Sequence, residues 1–131
     1  IPNVPFGKFI LKSIQTYGDN LAWIDIGNGS EEYSFSRIYN ETCKCANSLI
    51  KEGIKRGDIV GILCPNSCQQ KILVLALALC GATIVPINNF YTEDEVKRQM
   101  QIVQPTVVFT TSDQITKLQT YSENIKIYKF G

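Results

Sequence analysis

The sequence predicts an α/β protein with an open, mostly parallel β-sheet and helices on both faces, preceded by a helix and a β-hairpin. Between Arg56 and Thr110, three runs rich in Ile and Val alternate with two runs of helical period at nearly even spacing. Strand-like runs that are each followed by a polar turn and a helix-length pattern are typical of βαβ units. Such connections are almost always right-handed, which places the helices on the faces of the sheet.

Residues 1–35 predict the leading helix and the hairpin. Apolar residues recur at helical spacing over residues 6–17, which indicates an amphipathic helix. Two strand-like runs, residues 21–26 and 33–35, follow on either side of the pair Asn28 and Gly29. Because both residues of an Asn-Gly pair accept positive φ, this spacing favours a hairpin turn at that pair.

A second helix is predicted over residues 36–52. Its apolar positions trace one face at the helical period: Ile38, Thr42, Cys45, Ala46, Leu49 and Ile50. Gly53 stands where a left-handed residue commonly ends a helix, and Ile54 is placed to fold back onto Leu49 in a Schellman closure.

The strands of the sheet are predicted at residues 59–63, 83–87, 106–110 and 125–128. The helix between the first two strands follows Asn66 and Ser67 and ends at Gly81. It is apolar nearly all round from Ile72 onward, which predicts that it is covered on most sides.

Two further helices are predicted between the later strands. Thr92 and Glu95 have the spacing of a capping box and open a helix that runs to about Val103. Thr111 or Ser112 is expected to cap a shorter helix before the last strand.

Charge and hydropathy exclude two classes of partner. Thirteen basic and twelve acidic residues leave almost no net charge, and the nearest approach to a basic cluster, residues 51–56, is interrupted by Glu52 and Gly53. Nucleic acids and anionic membranes are bound through clustered Lys and Arg, so neither is indicated. The longest apolar run, residues 72–80, is too short for a membrane span of about 20 residues.

Five cysteines, at positions 43, 45, 64, 68 and 80, form an odd set. We favour packed, free thiols in a reducing compartment. A zinc site built from Cys43, Cys45, Cys64 and Cys68 is the alternative. The chain has no histidine, and the spacings match no common zinc pattern.

A ligand site is expected where the parallel strands end, because open α/β sheets bind ligands outside the carboxyl ends of their strands. These ends are residues 64–67, 88–92 and 110–113. The alternative, which we favour from the residues alone, is that their Pro, Asn, Ser and Thr residues only form turns and caps.

Little in the chain indicates bond-making chemistry. Cys64 and Cys68 are the candidate nucleophiles near a strand end, but no base accompanies them, so packing roles are favoured. Neither the glycines around Asn28 nor the hydroxyl-rich residues 110–113 complete a phosphate loop. Phe90 and Tyr91 are suited to stacking on a ligand ring, although a hydrophobic staple beside the helix cap is favoured.

The order of these segments resembles the start of adenylate-forming enzymes of the AMP-binding superfamily, which includes acyl-CoA synthetases, 4-coumarate-CoA ligases and beetle luciferases. The likeness covers nearly the whole chain. It lies in Tyr33-Ser34-Phe35, the helix through Ala46 to Leu49, residues 57–63, Pro65-Asn66-Ser67, Gly81-Ala82, Val85-Pro86-Ile87-Asn88, Tyr91-Thr92-x-x-Glu95 and residues 104–110. One departure is Arg37, where the family often has an acid. A cation there opposes the helix dipole, at a cost of about 0.5 kcal/mol.

The resemblance implies a two-step reaction. ATP, accompanied by Mg²⁺, and a carboxylate give an acyl adenylate and pyrophosphate, and CoA then takes the acyl group. The family's phosphate loop and its C-terminal lid domain have no counterpart in this sequence. Catalytic and metal roles are therefore assigned to no residue, Thr111 and Lys117 included, and the chain alone is expected to be inactive.

The resemblance also implies one contact and one domain assignment. By position, Ile87, Asn88 and Asn89 form the loop that lies near CoA in the family. Residues 1–131 are expected to be part of the N-terminal AMP-binding domain, with a lead-in at residues 1–35 and a βαβ subdomain at residues 36–131. The remaining polypeptide, the carboxylic acid and CoA are the implied partners. Three alternatives stay open: a luciferase-like monooxygenase, a stand-alone flavodoxin-like module without catalysis, and a pseudoenzyme whose fold serves only protein contacts. The expected location is intracellular, cytoplasmic or peroxisomal.

Overall fold

A computed structural model of the chain describes residues 3–130, the side chains of residues 122 and 123 apart. Residues 1, 2 and 131, which belong to the predicted domain, lie outside the described range. The elements are α1 (Phe6–Gln15), β1 (Leu21–Asp25), β2 (Glu31–Ser34), α2 (Phe35–Lys51), β3 (Ile59–Leu63), α3 (Cys68–Cys80), β4 (Thr83–Ile87), α4 (Glu93–Val103), β5 (Val107–Thr110), a 3₁₀ helix (Ile115–Asn124) and β6 (Lys126–Lys129).

The chain forms two compact units, and each unit takes two separate stretches of sequence. Unit 1 consists of Ile1–Arg56 and Asn66–Gly81, and unit 2 of Gly57–Pro65 and Ala82–Gly131. Unit 1 therefore holds α1, the hairpin, α2 and α3, whereas the parallel sheet, α4 and the 3₁₀ helix belong to unit 2. The predicted division into a lead-in and a subdomain at residue 35 stays a prediction.

Unit 2 is built on a four-stranded sheet in the order β4-β3-β5-β6, in which every neighbouring pair is parallel. One face of the sheet packs against α4 and the 3₁₀ helix. That core contains Leu63, Ile87, Val96, Met100, Val108 and Leu118, all at most 4% exposed. Together with the antiparallel hairpin β1-β2, this confirms the predicted α/β class and the open parallel sheet.

Unit 1 brings α1, α2 and the hairpin against α3, with a core that includes Tyr33, Ile38, Cys68 and Ile72. The backbones of α1 and α3 come unusually close at Gly7. A Cβ atom at this position would lie 2.6 Å from the carbonyl carbon of Ala78, well inside van der Waals contact. Glycine is therefore required at this helix crossing, because no other residue leaves the space free.

The predicted end of α2 is confirmed in detail. Gly53 has a left-handed φ of 92°, its N–H donates to the Ile50 carbonyl, and the N–H of Ile54 donates to the Leu49 carbonyl, both at 3.0 Å. This is the bond pattern of a Schellman closure. The assignment of Ile50 to the buried face was wrong, because its side chain is 59% exposed at the margin of the apolar stripe.

The hairpin turn differs from the one that Asn28 and Gly29 predict. The connection is longer, with a 3₁₀ turn at Ile26–Asn28, and positive φ falls on Gly29 and Ser30. The Asn28 side chain instead donates to the Glu31 carboxylate at 3.1 Å. Asn28 thus closes the turn through its side-chain amide and not through a left-handed backbone.

Arg37, in the first turn of α2, is surrounded by compensating groups. Its guanidinium bonds the Glu31 and Glu41 carboxylates, both at 2.7 Å, and lies 3.8 Å from the centroid of the Tyr33 ring. The helix itself is capped by Ser34, whose hydroxyl accepts from the Arg37 N–H. The unfavourable interaction of Arg37 with the helix dipole is therefore offset by the two carboxylates and the ring.

The remaining caps confirm one prediction and correct another. Thr92 and Glu95 form the predicted reciprocal capping box of α4. Thr111 and Ser112 were expected to cap a helix, but that helix is of the 3₁₀ type, begins at Ile115 and has no side-chain cap. The Thr111 backbone carbonyl, not its hydroxyl, accepts from the residues that start the turn. Over residues 3–130, no helix is both long and apolar enough to cross a membrane.

One buried hydroxyl in α2 leads to a stability prediction. Thr42 is fully buried, and its Oγ1 has no hydrogen-bond partner among the described residues. Thr42→Val is expected to raise the free energy of unfolding by about 1 kcal/mol in urea denaturation, because burial of the unpaired hydroxyl has a desolvation cost that no hydrogen bond offsets.

The matched control is Thr110→Val, since Thr110 is also fully buried but its Oγ1 donates to the Leu63 carbonyl at 2.9 Å. That change should lower stability by about 1 kcal/mol. Equal effects of the two changes would contradict the explanation.

Candidate functional site

The carboxyl ends of three neighbouring strands of unit 2 lie level with one another. Leu63, the last residue of β3, pairs with Ile87 at the end of β4 and with Thr110 at the end of β5. The loops that begin after these residues therefore leave the sheet at the same edge. In an open parallel sheet this edge is where ligands bind, so these loops are the candidate functional site. Asn66 and Ser67, also predicted at a strand end, belong to unit 1.

The loop after β4, which the family resemblance implies lies near CoA, is a tight, internally bonded turn. Ile87 is only 4% exposed and belongs to the core of unit 2, so its side chain is not available to a ligand. The Asn88 side-chain oxygen accepts from the Phe90 N–H at 3.0 Å, and the Asn88 carbonyl accepts from the Tyr91 N–H at 3.1 Å. Asn88 thereby fixes the turn, and Asn89 lies at its tip.

A lysine from a distant part of the chain reaches this loop. The Lys117 ammonium donates to the Asn89 carbonyl at 2.7 Å. The two residues are far apart in sequence, with Asn89 in the loop after β4 and Lys117 in the 3₁₀ helix Ile115–Asn124, so no local pattern of residues signals the contact. The sequence therefore did not predict that Lys117 contacts this loop.

Phe90 and Tyr91 have different roles, although the sequence treats them as a pair. Tyr91 packs against the core cluster that contains Val96, as a hydrophobic staple of α4 requires. Phe90 is 87% exposed and takes no part in that staple. The structure therefore leaves one aromatic ring uncovered at the carboxyl edge of the sheet, next to the turn that Asn88 closes.

Residues 110–113 do not form a phosphate cradle. Thr110 is fully buried, and its hydroxyl donates a hydrogen bond to the Leu63 carbonyl. The pKa of the Asp113 carboxyl lies below its usual range, because the Thr111 hydroxyl and the Gln114 amide face it and stabilise its charged form. An ionised carboxylate at this position repels a phosphate group. These residues therefore shape the edge without supplying an anion site.

The two candidate nucleophiles are packed thiols. Cys64 and Cys68 are 7% and 5% exposed. The helix N-terminus that would activate Cys68 is already occupied, because the Cys68 N–H donates to the Asp25 carboxylate at 3.1 Å. Burial, followed by the Asp25 charge, raises the pKa of the Cys68 thiol. Packing, the role favoured from the sequence, agrees with this geometry.

Cys64 gives a prediction about reactivity. Burial, with a smaller contribution from the Asp113 charge, raises the pKa of its thiol from 9.0 to about 11. We expect iodoacetamide at pH 8 to alkylate Cys64 in native protein far more slowly than in urea-unfolded protein, as followed by mass spectrometry. Because only the folded thiol keeps its proton between pH 9 and 11, stability should fall as pH rises through this window. Alkylation of Cys64 at the same rate in both states would contradict this.

The carboxyl edge of the sheet carries the exposed Phe90 ring, the Lys117 ammonium group and the backbone amides of the loop after β4. Among the side chains that the structure describes, no set of three or more His, Cys, Asp or Glu residues is arranged to hold a metal ion. All five cysteines are free thiols in the structure.

Sequence comparison identifies relatives of the chain. Residues 10–129 match the family model described as AMP-binding enzyme. The chain is 35% identical over 118 residues to a 4-coumarate-CoA ligase-like 3 of Arabidopsis thaliana, with 89% of this chain and 21% of the relative covered. It is 28% identical over 126 residues to a peroxisomal OPC-8:0-CoA ligase 1 of the same plant, with 96% and 22% covered. The chain thus spans about a fifth of the length of these relatives.

Solved structures share the fold. A long-chain-fatty-acid-CoA ligase from Archaeoglobus fulgidus superposes with a TM-score of 0.90 at 23% identity, over 99% of this chain and 28% of that one. A luciferase-like enzyme from the nonluminescent mealworm Zophobas morio superposes with a TM-score of 0.88 at 24% identity, over 100% and 33%. At this level of identity the likeness establishes the fold and nothing finer.

Proposed function

Because this chain belongs to the AMP-binding enzyme family, we propose that it is the N-terminal part of an ATP-dependent acid-CoA ligase. The enzyme activates a carboxylic acid as an acyl adenylate, releasing pyrophosphate, and transfers the acyl group to CoA. The observation that carries the proposal is the family match over residues 10–129. Relatives named as 4-coumarate-CoA ligases support the choice of thiol ligase within the family.

The chain's own contribution is a scaffold with one ligand-facing edge. In the proposed enzyme, ATP with Mg²⁺ supplies the adenylyl group. The residues that bind them belong to the rest of the polypeptide, because the described residues offer no Gly-rich phosphate loop. Ile87, Asn88 and Asn89 form the proposed CoA-side loop, with Ile87 anchoring it in the core and Asn88 holding its shape. Residues 1–35 act as the lead-in to the βαβ subdomain of residues 36–131.

The test uses the full-length protein in two separate assays. Acid-dependent ATP-pyrophosphate exchange reports adenylate formation, and CoA thioester formation reports the second step; hydroxycinnamic and fatty acids of graded length form the panel. Exchange followed by thioester formation is expected. Exchange followed by oxygen consumption and light, with no thioester, would favour a luciferase-like monooxygenase. Absence of exchange with every acid would favour a module without catalysis and remove the proposal.

The chain alone is predicted to show no ATP-pyrophosphate exchange with any of these acids. The candidate nucleophiles Cys64 and Cys68 are buried thiols, and the described residues form no Gly-rich phosphate loop, whereas exchange requires the migrating charge to be stabilised. The control is the full-length protein under the same conditions. Exchange by residues 1–131 above the background without acid would show that the catalytic groups lie within this chain.

An intracellular site of action, cytoplasmic or peroxisomal, is part of the same proposal. The supporting observations are the free thiols and a relative that is named as peroxisomal. Imaging of the tagged full-length protein, with the tag placed internally so that both termini stay native, tests it.

A further inference from the structure

The turn at Asn88–Tyr91 is held at both ends and is also contacted at its tip. Ile87 and Tyr91 pack into the core of unit 2 on either side of the turn. The Asn88 side chain fixes the first half. The tip, Asn89, is held by the Lys117 ammonium at 2.7 Å.

Lys117 is itself held in place by the element that carries it. The next residue, Leu118, is 1% exposed and lies in the same core cluster as Ile87. Lys117 therefore extends from a fixed backbone, and its side chain is half-buried. A hydrogen bond from a charged donor is stronger than one from a neutral donor, so the ammonium holds the Asn89 carbonyl more firmly than a neutral side chain would.

We propose that Lys117 is a positioning residue for the CoA-dependent step, acting through the Asn89 carbonyl to set the orientation of the loop and of the exposed Phe90 ring. This rests on the proposed function, because the loop is the proposed CoA-side surface. Phe90 is 87% exposed, and a ring on a fixed turn offers a preorganised surface that a ring on a mobile turn does not.

Direct contact of the ammonium with a CoA phosphate is the competing role. An ammonium group has three donors, and one is used by Asn89. The Asp113 carboxylate lies close enough to interact with Lys117, which lowers the attraction that the ammonium exerts on a phosphate. The carbonyl contact and the neighbouring carboxylate together favour positioning over phosphate binding.

The experiment uses the full-length protein with Lys117→Met, Lys117→Arg and the control Lys97→Met, at an exposed lysine on α4. For Lys117→Met we expect the KM for CoA to rise about tenfold, with unchanged ATP-pyrophosphate exchange, which needs no CoA. Lys117→Arg should recover most of the affinity, since a guanidinium also donates to a carbonyl. Lys97→Met should match the wild type in every assay.

Two further measurements separate positioning from direct contact. Positioning raises the KM for CoA and for 3′-dephospho-CoA by the same factor, whereas loss of a contact to the 3′-phosphate affects CoA alone. Hydrogen exchange at residues 88–91 without CoA should be faster in Lys117→Met, because the tether is gone before any ligand arrives.

The outcomes are distinct. Absence of exchange in the wild type overturns the proposed function, and this inference with it. An active wild type with an unchanged KM for CoA in Lys117→Met overturns the inference alone. An equal loss of exchange and thioester formation in Lys117→Met, or a loss restricted to CoA against its 3′-dephospho form, also overturns it.

Discussion

Gly7→Ala is expected to lower the free energy of unfolding by about 3 kcal/mol, measured by urea denaturation. In an isolated helix the same change stabilises by up to about 1 kcal/mol, so the expected sign is reversed. The reason is the crossing of α1 and α3, where the new methyl would lie 2.6 Å from the Ala78 carbonyl and 2.7 Å from the Leu79 nitrogen. Backbone atoms of a helix have no rotamer that moves them aside, so the helices must separate.

Gly27→Ala is the matched control for this prediction. It is the same chemical change in the same unit, but the added methyl would meet only the Asp25 side chain at 3.6 Å, an ordinary contact. Its effect should stay within about 0.5 kcal/mol. If both variants unfold at the wild-type urea concentration, the close approach of α1 and α3 is wrong.

Leu118→Ala is expected to cost about 3 kcal/mol, within the range for a buried leucine that leaves a cavity. Leu118 is 1% exposed and packs in the core of unit 2 together with Leu63 and Met100. Since it secures the 3₁₀ helix to that core, hydrogen exchange in residues 115–124 should accelerate along with the loss of global stability.

Leu21→Ala tests whether burial is the cause of the stability loss expected for Leu118→Ala. Leu21 lies in β1 and is 52% exposed, so the same truncation leaves no cavity, and a cost below about 0.5 kcal/mol is expected. A similar cost at Leu21 and Leu118 would show that the assigned core of unit 2 is incorrect.

Elements with a local cause could be predicted from the sequence. The α4 capping box depends on Thr92 and Glu95, which are three residues apart and contact each other in any helix that starts there. The closure at Gly53 likewise depends on residues within one turn. The strands β3 and β4 were predicted with their observed bounds because polar turns flank short apolar runs on both sides.

Features that depend on distant residues could not be predicted. The order β4-β3-β5-β6 depends on which strands pair, and the apolar composition of β3 and β5 shows that they are buried without showing which strands lie beside them. Ile50 has the period of a buried residue, but its exposure depends on how wide a stripe the neighbouring helices cover. The Asn28 turn was mispredicted because its amide bonds Glu31, which competes with the left-handed backbone.

The sequence predicted where the candidate site lies but not which of its residues contact one another. Parallel strands end at one edge by geometry, so Asn88 and Thr110 could be assigned to it from their positions in the chain. The Lys117 tether to Asn89 required the fold, because nothing in either local sequence distinguishes it from an ordinary surface lysine. The same holds for Phe90, whose exposure depends on the turn beneath it.

The division of unit 1 between two stretches of sequence has a consequence for synthesis on the ribosome. When residue 56 has emerged, α1, the hairpin and α2 are complete, but Tyr33 and Ile38 lack the partners that α3 supplies through Cys68 and Ile72. β3 emerges next, before either of its neighbours in the sheet exists. Until α3 and β4 follow, the apolar faces of α1 and α2 and the unpaired strand β3 are therefore uncovered. Exposed apolar surface and unpaired strand edges make this interval of synthesis prone to aggregation.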